Sequence, residues 1–175
     1  MDTVGCVTGG PWDSNEGCYP YQIPACDHHV KAFRCGNLVE NEVPTPPCKK
    51  TCESSYNGTW TSDKRFGATA YSVSSQVSQI QTEIMTNGPV EASFTVYADF
   101  VTYKSGVYKH TKGQALGGHA IKILGWGVLN SQNYWTVANS WNSDWGAQGY
   151  FLIARGVDEC GIESGVVAGK PKVSK

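Results

Sequence analysis

Residues 117–127 read Gly-Gly-His-Ala-Ile-Lys-Ile-Leu-Gly-Trp-Gly, and the rest of the chain is organised around this stretch. Residues 134–142 read Tyr-Trp-Thr-Val-Ala-Asn-Ser-Trp-Asn and follow it closely. Both stretches alternate in polarity and are rich in β-branched and aromatic residues, so each is predicted to be a strand. The turn-like run at 129–133 between them predicts an antiparallel pair.

This pairing brings a histidine and an asparagine together. His119 lies near the start of the first strand and Asn139 at the end of the second, and these ends meet in an antiparallel pair. An amide beside an imidazole can fix the tautomer of the ring and aim its free nitrogen. Gly118 leaves room for an approaching backbone or ligand, and Trp141 can shield the hydrogen bond. The competing interpretation is an ordinary strand histidine beside an ordinary turn asparagine.

The composition indicates a globular chain. It has 175 residues, of which 40% are hydrophobic and 17% charged, with a formal net charge of -1. This length is enough for one domain with a sizeable core. The charge argues against a nucleic-acid or anionic-membrane partner, and no apolar run approaches the length of a membrane span. We therefore predict neither nucleic acid nor membrane as a partner.

Cysteine usage indicates an oxidising compartment. Five of the seven cysteines lie between Cys18 and Cys52, and the odd count leaves at least one thiol without a partner in this chain. The opening residues from Met1 lack the basic start and apolar segment of a secretory signal, so we expect the natural N-terminal region to lie upstream. Asn57-Gly58-Thr59 is an N-glycosylation acceptor, which has meaning only in a secreted protein.

The fold is predicted to be α+β. Residues 1–62 lack a periodic apolar pattern and form a loop-rich region that needs cross-links, whereas 63–175 form a mostly antiparallel β-sheet or small barrel. One main helix is predicted to begin at a Ser74 or Ser75 cap and run through Met85. Further strands are predicted at 68–73, 90–97, 105–108, 149–155 and 164–168, and a brief helical turn at 99–104.

Several short motifs occur in a fixed order along the chain. They are Cys-Asp-His-His-Val at 26–30, Asn-Gly-Pro-Val-Glu at 87–91, Gly-Gly-His-Ala at 117–120, Ala-Asn-Ser-Trp-Asn at 138–142, Trp-Gly at 145–146 and Cys-Gly-Ile-Glu-Ser at 160–164. On these motifs the chain resembles the papain-like cysteine proteases, in their cathepsin B-like branch. The resemblance runs from about residue 5 to residue 171. It implies the right-hand domain of the papain fold, without the half that carries the nucleophile.

The resemblance also implies site residues. His119 is the implied catalytic histidine and Asn139 its orienting partner, while Trp141 lines the leaving-group side of the cleft. His28 and His29 lie on an occluding-loop-like segment, 26–35, where they hold the C-terminal carboxylate of a substrate through charge-assisted hydrogen bonds. Four residues form this side of the S2 pocket and are called the S2 wall below: Ser93, Gly118, Ala120 and Gly165.

Two features of these sites bear on specificity. Gly165 stands where the family often has an acidic residue, so we expect apolar P2 side chains to be accepted better than basic ones. Through the occluding-loop-like segment the resemblance implies dipeptidyl carboxypeptidase activity. The segment between its two cysteines is shorter than expected, which argues against that activity. A zinc site is the competing interpretation of this loop, with Cys26, His28, His29 and Cys35 as ligands. We predict no metal and no cofactor.

Disulfide pairing follows from the resemblance. It implies two bridges, Cys18 to Cys52 and Cys26 to Cys35. Cys48 matches a position that pairs upstream of this chain, and Cys160 matches one that is usually unpaired. No role is assigned to Cys6.

The nucleophile is the main departure from the family. The chain has no Gly-Ser-Cys-Trp type motif and no oxyanion glutamine before it. A thiolate–imidazolium pair needs both halves of the fold, so this polypeptide alone is predicted to be inactive. The alternative function is a non-catalytic protease-like binding or decoy module. Implied partners are peptide or protein substrates, the missing N-terminal half as a separate chain, and cystatin-like inhibitors, in a lysosomal or extracellular location.

Overall fold

The computed structural model describes residues 4–24 and 44–173. The chain divides into two compact units, Met1–Thr69 with Lys170–Lys175 as the first and Ala70–Gly169 as the second. The domain limits predicted from the sequence, 1–62 and 63–175, remain predictions. No helix in the described part of the chain is both long and apolar enough to cross a membrane.

The first unit is held together by a cross-link and a buried carboxylate. The implied disulfide between Cys18 and Cys52 is present. Asp63, which is 5% exposed, accepts hydrogen bonds from the Thr8 backbone N–H at 2.7 Å, the Thr8 hydroxyl at 2.8 Å and the Tyr56 hydroxyl at 2.5 Å. The bond from Tyr56 and those from Thr8 lower the pKa of Asp63. Polar contacts thus stabilise a region whose sequence has few apolar residues to bury.

A seven-stranded sheet runs through the chain in the order β1-β7-β2-β4-β5-β6-β3. Its neighbouring strands pair antiparallel from β2 to β6, and β3 pairs parallel with β6. The predicted fold class, mostly sheet with one main helix, is confirmed. The strands are β1 Gly67–Ser72, β2 Val90–Tyr97, β3 Val107–Tyr108, β4 Ala115–Leu129, β5 Gln132–Ala138, β6 Tyr150–Ala154 and β7 Val167–Pro171.

The hairpin of β4 and β5 is the predicted antiparallel pair. Two residues connect the strands, Asn130 and Ser131, both with positive φ (48° and 63°). That geometry matches the right-handed twist of the flanking strands, which is why two-residue hairpin loops adopt it. An irregularity between Ile123 and Gly125 shifts the register of the ladder, which ends at the Lys122–Ala138 pair.

The core lies on one face of the central strands. In β2 every second residue from Val90 to Val96 is buried, and Phe94 pairs with His119 of β4. Ile121 and Ile123 are buried on the same face of β4. The largest fully buried side chains form the centre of this core: Trp135, Trp145, Phe100 and Phe151.

The helix α1 spans Val77–Asn87 and ends at Gly88, whose backbone N–H bonds to the Ile84 carbonyl. The predicted serine cap is wrong. The residue at the N-cap is Gln76, which makes no side-chain capping bond. The Ser74 hydroxyl lies two residues too early and accepts a local bond from the Gln76 N–H instead. Ile80 of this helix is fully buried, and Val77 and Ile84 pack against the core.

The last predicted strand is also displaced. Residues 164–168 were expected to form it, but β7 is Val167–Pro171. The preceding residues form a short 3-10 turn at Glu159–Gly161, followed by further turns. The brief helical turn predicted at 99–104 is present as a 3-10 turn at Phe100–Thr102.

Candidate active site

A hydrogen bond joins the two residues that the sequence places side by side. The His119 Nε2 and the Asn139 Oδ1 are 2.8 Å apart. The Ser140 backbone N–H donates to the same oxygen at 2.8 Å, and only the oxygen of an amide accepts. The His119 Nε2 must therefore carry the donated proton. In the neutral ring this leaves Nδ1 unprotonated and able to act as a base.

The backbone explains how Asn139 reaches His119. The β4–β5 ladder ends one residue before Asn139, and the Asn139 backbone N–H donates to the Gly149 carbonyl at 2.9 Å instead. The chain thus leaves β5 at this residue. Its side-chain amide is then available to bond to the imidazole rather than packing into the core.

Aromatic rings fix the position of the imidazole. Trp141 stacks on His119, with ring centroids 5.2 Å apart and planes at 26°. Phe94 lies on the neighbouring strand, with its centroid 6.0 Å from that of the imidazole. Trp141 in turn makes edge contacts with Phe100 and Trp145 of the core. A ring held by packing is already oriented before any substrate arrives.

The other end of the Asn139 amide is buried without a partner in the described part of the chain. The Asn139 Nδ2 is buried and has no hydrogen-bond partner among the described residues. An unsatisfied buried donor costs about 1–3 kcal/mol, so a site that keeps one is under functional constraint or is completed from outside. Trp141, two residues along the chain, stacks on the partner imidazole, and its predicted role in shielding this hydrogen bond remains a prediction.

The S2 wall lies on the exposed side of β2 and β4. Ser93 pairs with Ala120 across the two strands, and Gly118 pairs with Thr95. A Cβ added to Gly165 would lie 2.8 Å from the Ser93 Oγ, so Gly165 also belongs to this group. Gly118 and Ala120 flank His119 in sequence, so these two residues of the S2 wall lie directly beside the His119 backbone.

The occluding-loop predictions fall outside the described residues. His28 and His29 lie in the segment 25–43, as do the implied Cys26–Cys35 bridge and the competing zinc site. Their roles remain predictions.

A comparison of the sequence with protein families identifies the family. Residues 13–170 match the family described as "Papain family cysteine protease". The chain belongs to the papain family of cysteine proteases.

Relatives place the chain near the cathepsin B-like members of this family. Three proteins of Caenorhabditis elegans, cathepsin B-like cysteine proteinases 6, 5 and 4, are 53%, 53% and 54% identical to it over 171, 173 and 170 residues. These matches cover 97%, 98% and 97% of this chain, but 45%, 50% and 51% of the relatives. The chain thus spans about half the length of the curated relatives it matches.

Solved structures agree with this assignment. The procathepsin B S9 of Trypanosoma congolense superposes with a TM-score of 0.79 at 36% identity, covering 98% of this chain and 51% of that one. A digestive procathepsin L2 of Tenebrio molitor superposes with a TM-score of 0.57 at 29% identity, over 70% of this chain and 42% of that one. The fold observed here is therefore that of papain-family proteases.

Sequence reasoning missed the residue that holds the loop before Gly165. The Glu163 side chain is 4% exposed and accepts from the Trp135 Nε1–H at 2.8 Å, the Gly156 N–H at 2.6 Å and the Asp158 N–H at 2.8 Å. The Glu163 N–H donates back to Asp158 at 2.8 Å. The local sequence carries no clear signal for this role, because Glu163 stands among other polar residues and glycines, where an exposed carboxylate is the ordinary expectation.

Three free cysteines lie in the described part of the chain. Cys6 and Cys48 are exposed, and Cys160 is partly buried. Burial and the neighbouring Glu159 carboxylate raise the pKa of Cys160 to about 12. Because the thiolate is the nucleophile in this family, a thiol that resists ionisation is unsuited to the role. In the described part of the chain, no cysteine sulfur hydrogen-bonds to His119.

Proposed function

We propose that this chain supplies the histidine–asparagine side of the active site of a cathepsin B-like cysteine protease. The complete site would hydrolyse peptides and proteins as an endopeptidase and dipeptidyl carboxypeptidase. The observation that carries the proposal is the Asn139-bound His119 with its Nδ1 left as a base. Relatives described as cathepsin B-like cysteine proteinases support it.

Each residue has a defined part in the proposed reaction. The Nδ1 of His119 takes the proton of a cysteine thiol and later returns it to the leaving amine. Asn139 holds the tautomer and the ring orientation, and Trp141 excludes water from their hydrogen bond. The thiol and the oxyanion donor come from outside these 175 residues, because no Gly-Ser-Cys-Trp type motif occurs among them. The chain alone is therefore proposed to be inactive.

Substrate preference and location are proposed from two other features of the chain. The S2 wall carries no charge, which favours apolar P2 side chains. The Cys18–Cys52 bridge favours a lysosomal or extracellular location, since disulfides persist in oxidising compartments.

A non-catalytic peptide-binding module is the second candidate. The absence of the nucleophile motif from these residues favours it, whereas the preserved hydrogen bond between His119 and Asn139 counts against it. The two candidates differ in what the purified chain does with peptides.

The deciding experiment incubates the purified chain with a dipeptidyl fluorogenic substrate, with and without a thiol-directed epoxide. The protease proposal expects no turnover and no tight peptide binding by this chain alone. Tight binding of unmodified peptides would instead support the binding module. Turnover that the epoxide blocks would show that the chain holds its own nucleophile and would overturn the proposed division of the site.

A further inference from the structure

Asn57 begins the sequence Asn57-Gly58-Thr59, which is the single Asn-X-Ser/Thr acceptor in the 175 residues. We propose that Asn57 is a site of N-linked glycosylation. The ligand class is an oligosaccharide, joined covalently to the side-chain amide. This inference does not depend on proteolytic activity.

The loop around Asn57 is pinned on both sides of the residue. On one side the Tyr56 hydroxyl bonds to the buried Asp63 at 2.5 Å. On the other side the hydroxyls of Thr59 and Ser62 bond to each other at 2.9 Å. The Gly58 N–H bonds to the Tyr56 carbonyl at 3.0 Å, which turns the chain at this point.

Asn57 itself takes no part in these contacts. It is exposed, and its side chain makes no hydrogen bond with any other described residue. A bulky polar group on its amide nitrogen would therefore break no contact of the described fold. The preceding residue differs in this respect, because the Tyr56 hydroxyl is committed to its hydrogen bond with Asp63.

A disulfide near Asn57 also supports the proposal. The Cys18–Cys52 bridge closes five residues before Asn57 and implies folding in an oxidising compartment. In eukaryotic cells the acceptor is modified in that compartment, so the disulfide supplies the condition on which the sequence motif depends. The bridge and the exposed, uncommitted asparagine are independent observations that agree.

The covalent step is a glycosyl transfer from a lipid-pyrophosphate-linked oligosaccharide. The Asn57 amide nitrogen bonds to the anomeric carbon of the first sugar, and the bond from that carbon to the pyrophosphate oxygen breaks. The lipid pyrophosphate leaves with the bonding electrons, and the amide loses one proton to a base of the transferase. No oxidation or reduction takes place.

The test expresses the chain in insect cells behind a secretion leader. Total cell material is analysed together with the medium, so that retained protein also counts. We expect a gel shift that peptide N-glycosidase removes. When the enzyme acts in H₂¹⁸O, position 57 should be recovered as an aspartate that carries one ¹⁸O atom. The shift should be absent in Asn57→Gln and in Thr59→Ala, and retained in Thr59→Ser.

Asn87→Gln is the matched control. Asn87 is also exposed and also precedes a glycine, but a proline follows, so the position is not an acceptor. This variant should keep the full shift. A wild-type chain that enters the secretory pathway without any shift would overturn the proposal, as would a glycan that persists in Asn57→Gln.

Discussion

Replacing Glu163 by alanine should destabilise the second unit by about 3–5 kcal/mol, because three hydrogen bonds to one carboxylate are lost together. The donors do not contribute equally. Trp135 is fully buried, so its indole N–H would be left without any partner, at about 1–3 kcal/mol. Gly156 and Asp158 are exposed, so water replaces part of what their N–H groups lose.

A graded series separates this network from a general loss of packing. Glu163→Gln keeps an oxygen toward Trp135 and Gly156 but places an NH₂ group against the Asp158 N–H, so we expect a loss of about 1–3 kcal/mol. Glu91→Gln is the matched control, because Glu91 is exposed on β2, and its effect should stay within about 0.5 kcal/mol.

Urea unfolding followed by tryptophan fluorescence measures all three variants, with the slope of the transition checked for two-state behaviour. The expected order of destabilisation is alanine, then glutamine, then the control. If Glu163→Ala lowered the free energy of unfolding by no more than Glu91→Gln does, the three hydrogen bonds of the carboxylate would not anchor the loop.

Three further predictions concern other residues. Cys160 should resist iodoacetamide at pH 8 while Cys48 reacts, because burial and Glu159 raise the pKa of Cys160 to about 12; peptide mapping that finds both labelled at equal rates would contradict this. Burial raises the pKa of Asp99, but hydrogen bonds from the Thr111 N–H and the Tyr108 hydroxyl outweigh it and hold the pKa well below 3.8. The ionised carboxylate therefore stabilises the folded state fully above pH 3.8, and this contribution declines as the pH falls below that value. Asp99→Asn should therefore flatten the stability profile below pH 3.8 in acid unfolding, and an unchanged profile would refute the assignment. In a reconstituted enzyme, Gly165→Glu should raise kcat/KM for substrates with arginine at P2 relative to those with phenylalanine, whereas Gly165→Gln should not. Equal effects of the two variants would show that charge at position 165 does not determine the P2 preference.

The sequence predicts the pairing of His119 with Asn139 because its pattern is local. Alternation along β4 and β5 and a short turn between them are enough to place His119 and Asn139 at neighbouring strand ends. The tautomer is a different matter. It depends on the Ser140 N–H pointing at the Asn139 oxygen, which is a property of the backbone after the strand ends.

The predictions that failed depend on competing contacts. The Ser74 hydroxyl makes a local bond to the Gln76 N–H instead of capping α1. The strand expected at 164–168 begins later because Glu163 bonds to donors seven and 28 positions earlier in the chain, which hold its surroundings as turns. The spacing of apolar residues along the chain carries no information about such distant partners.

We propose that His119 serves a nucleophile that these 175 residues do not contain. The most direct measurement joins the chain to a papain-family N-terminal region with a Gly-Ser-Cys-Trp motif and compares peptide turnover before and after joining. We expect no turnover by the chain alone, turnover by the joined protein, and a loss of roughly 10³-fold or more in its His119→Ala variant. Epoxide-sensitive turnover by the chain alone, or joined activity that survives His119→Ala, would contradict it.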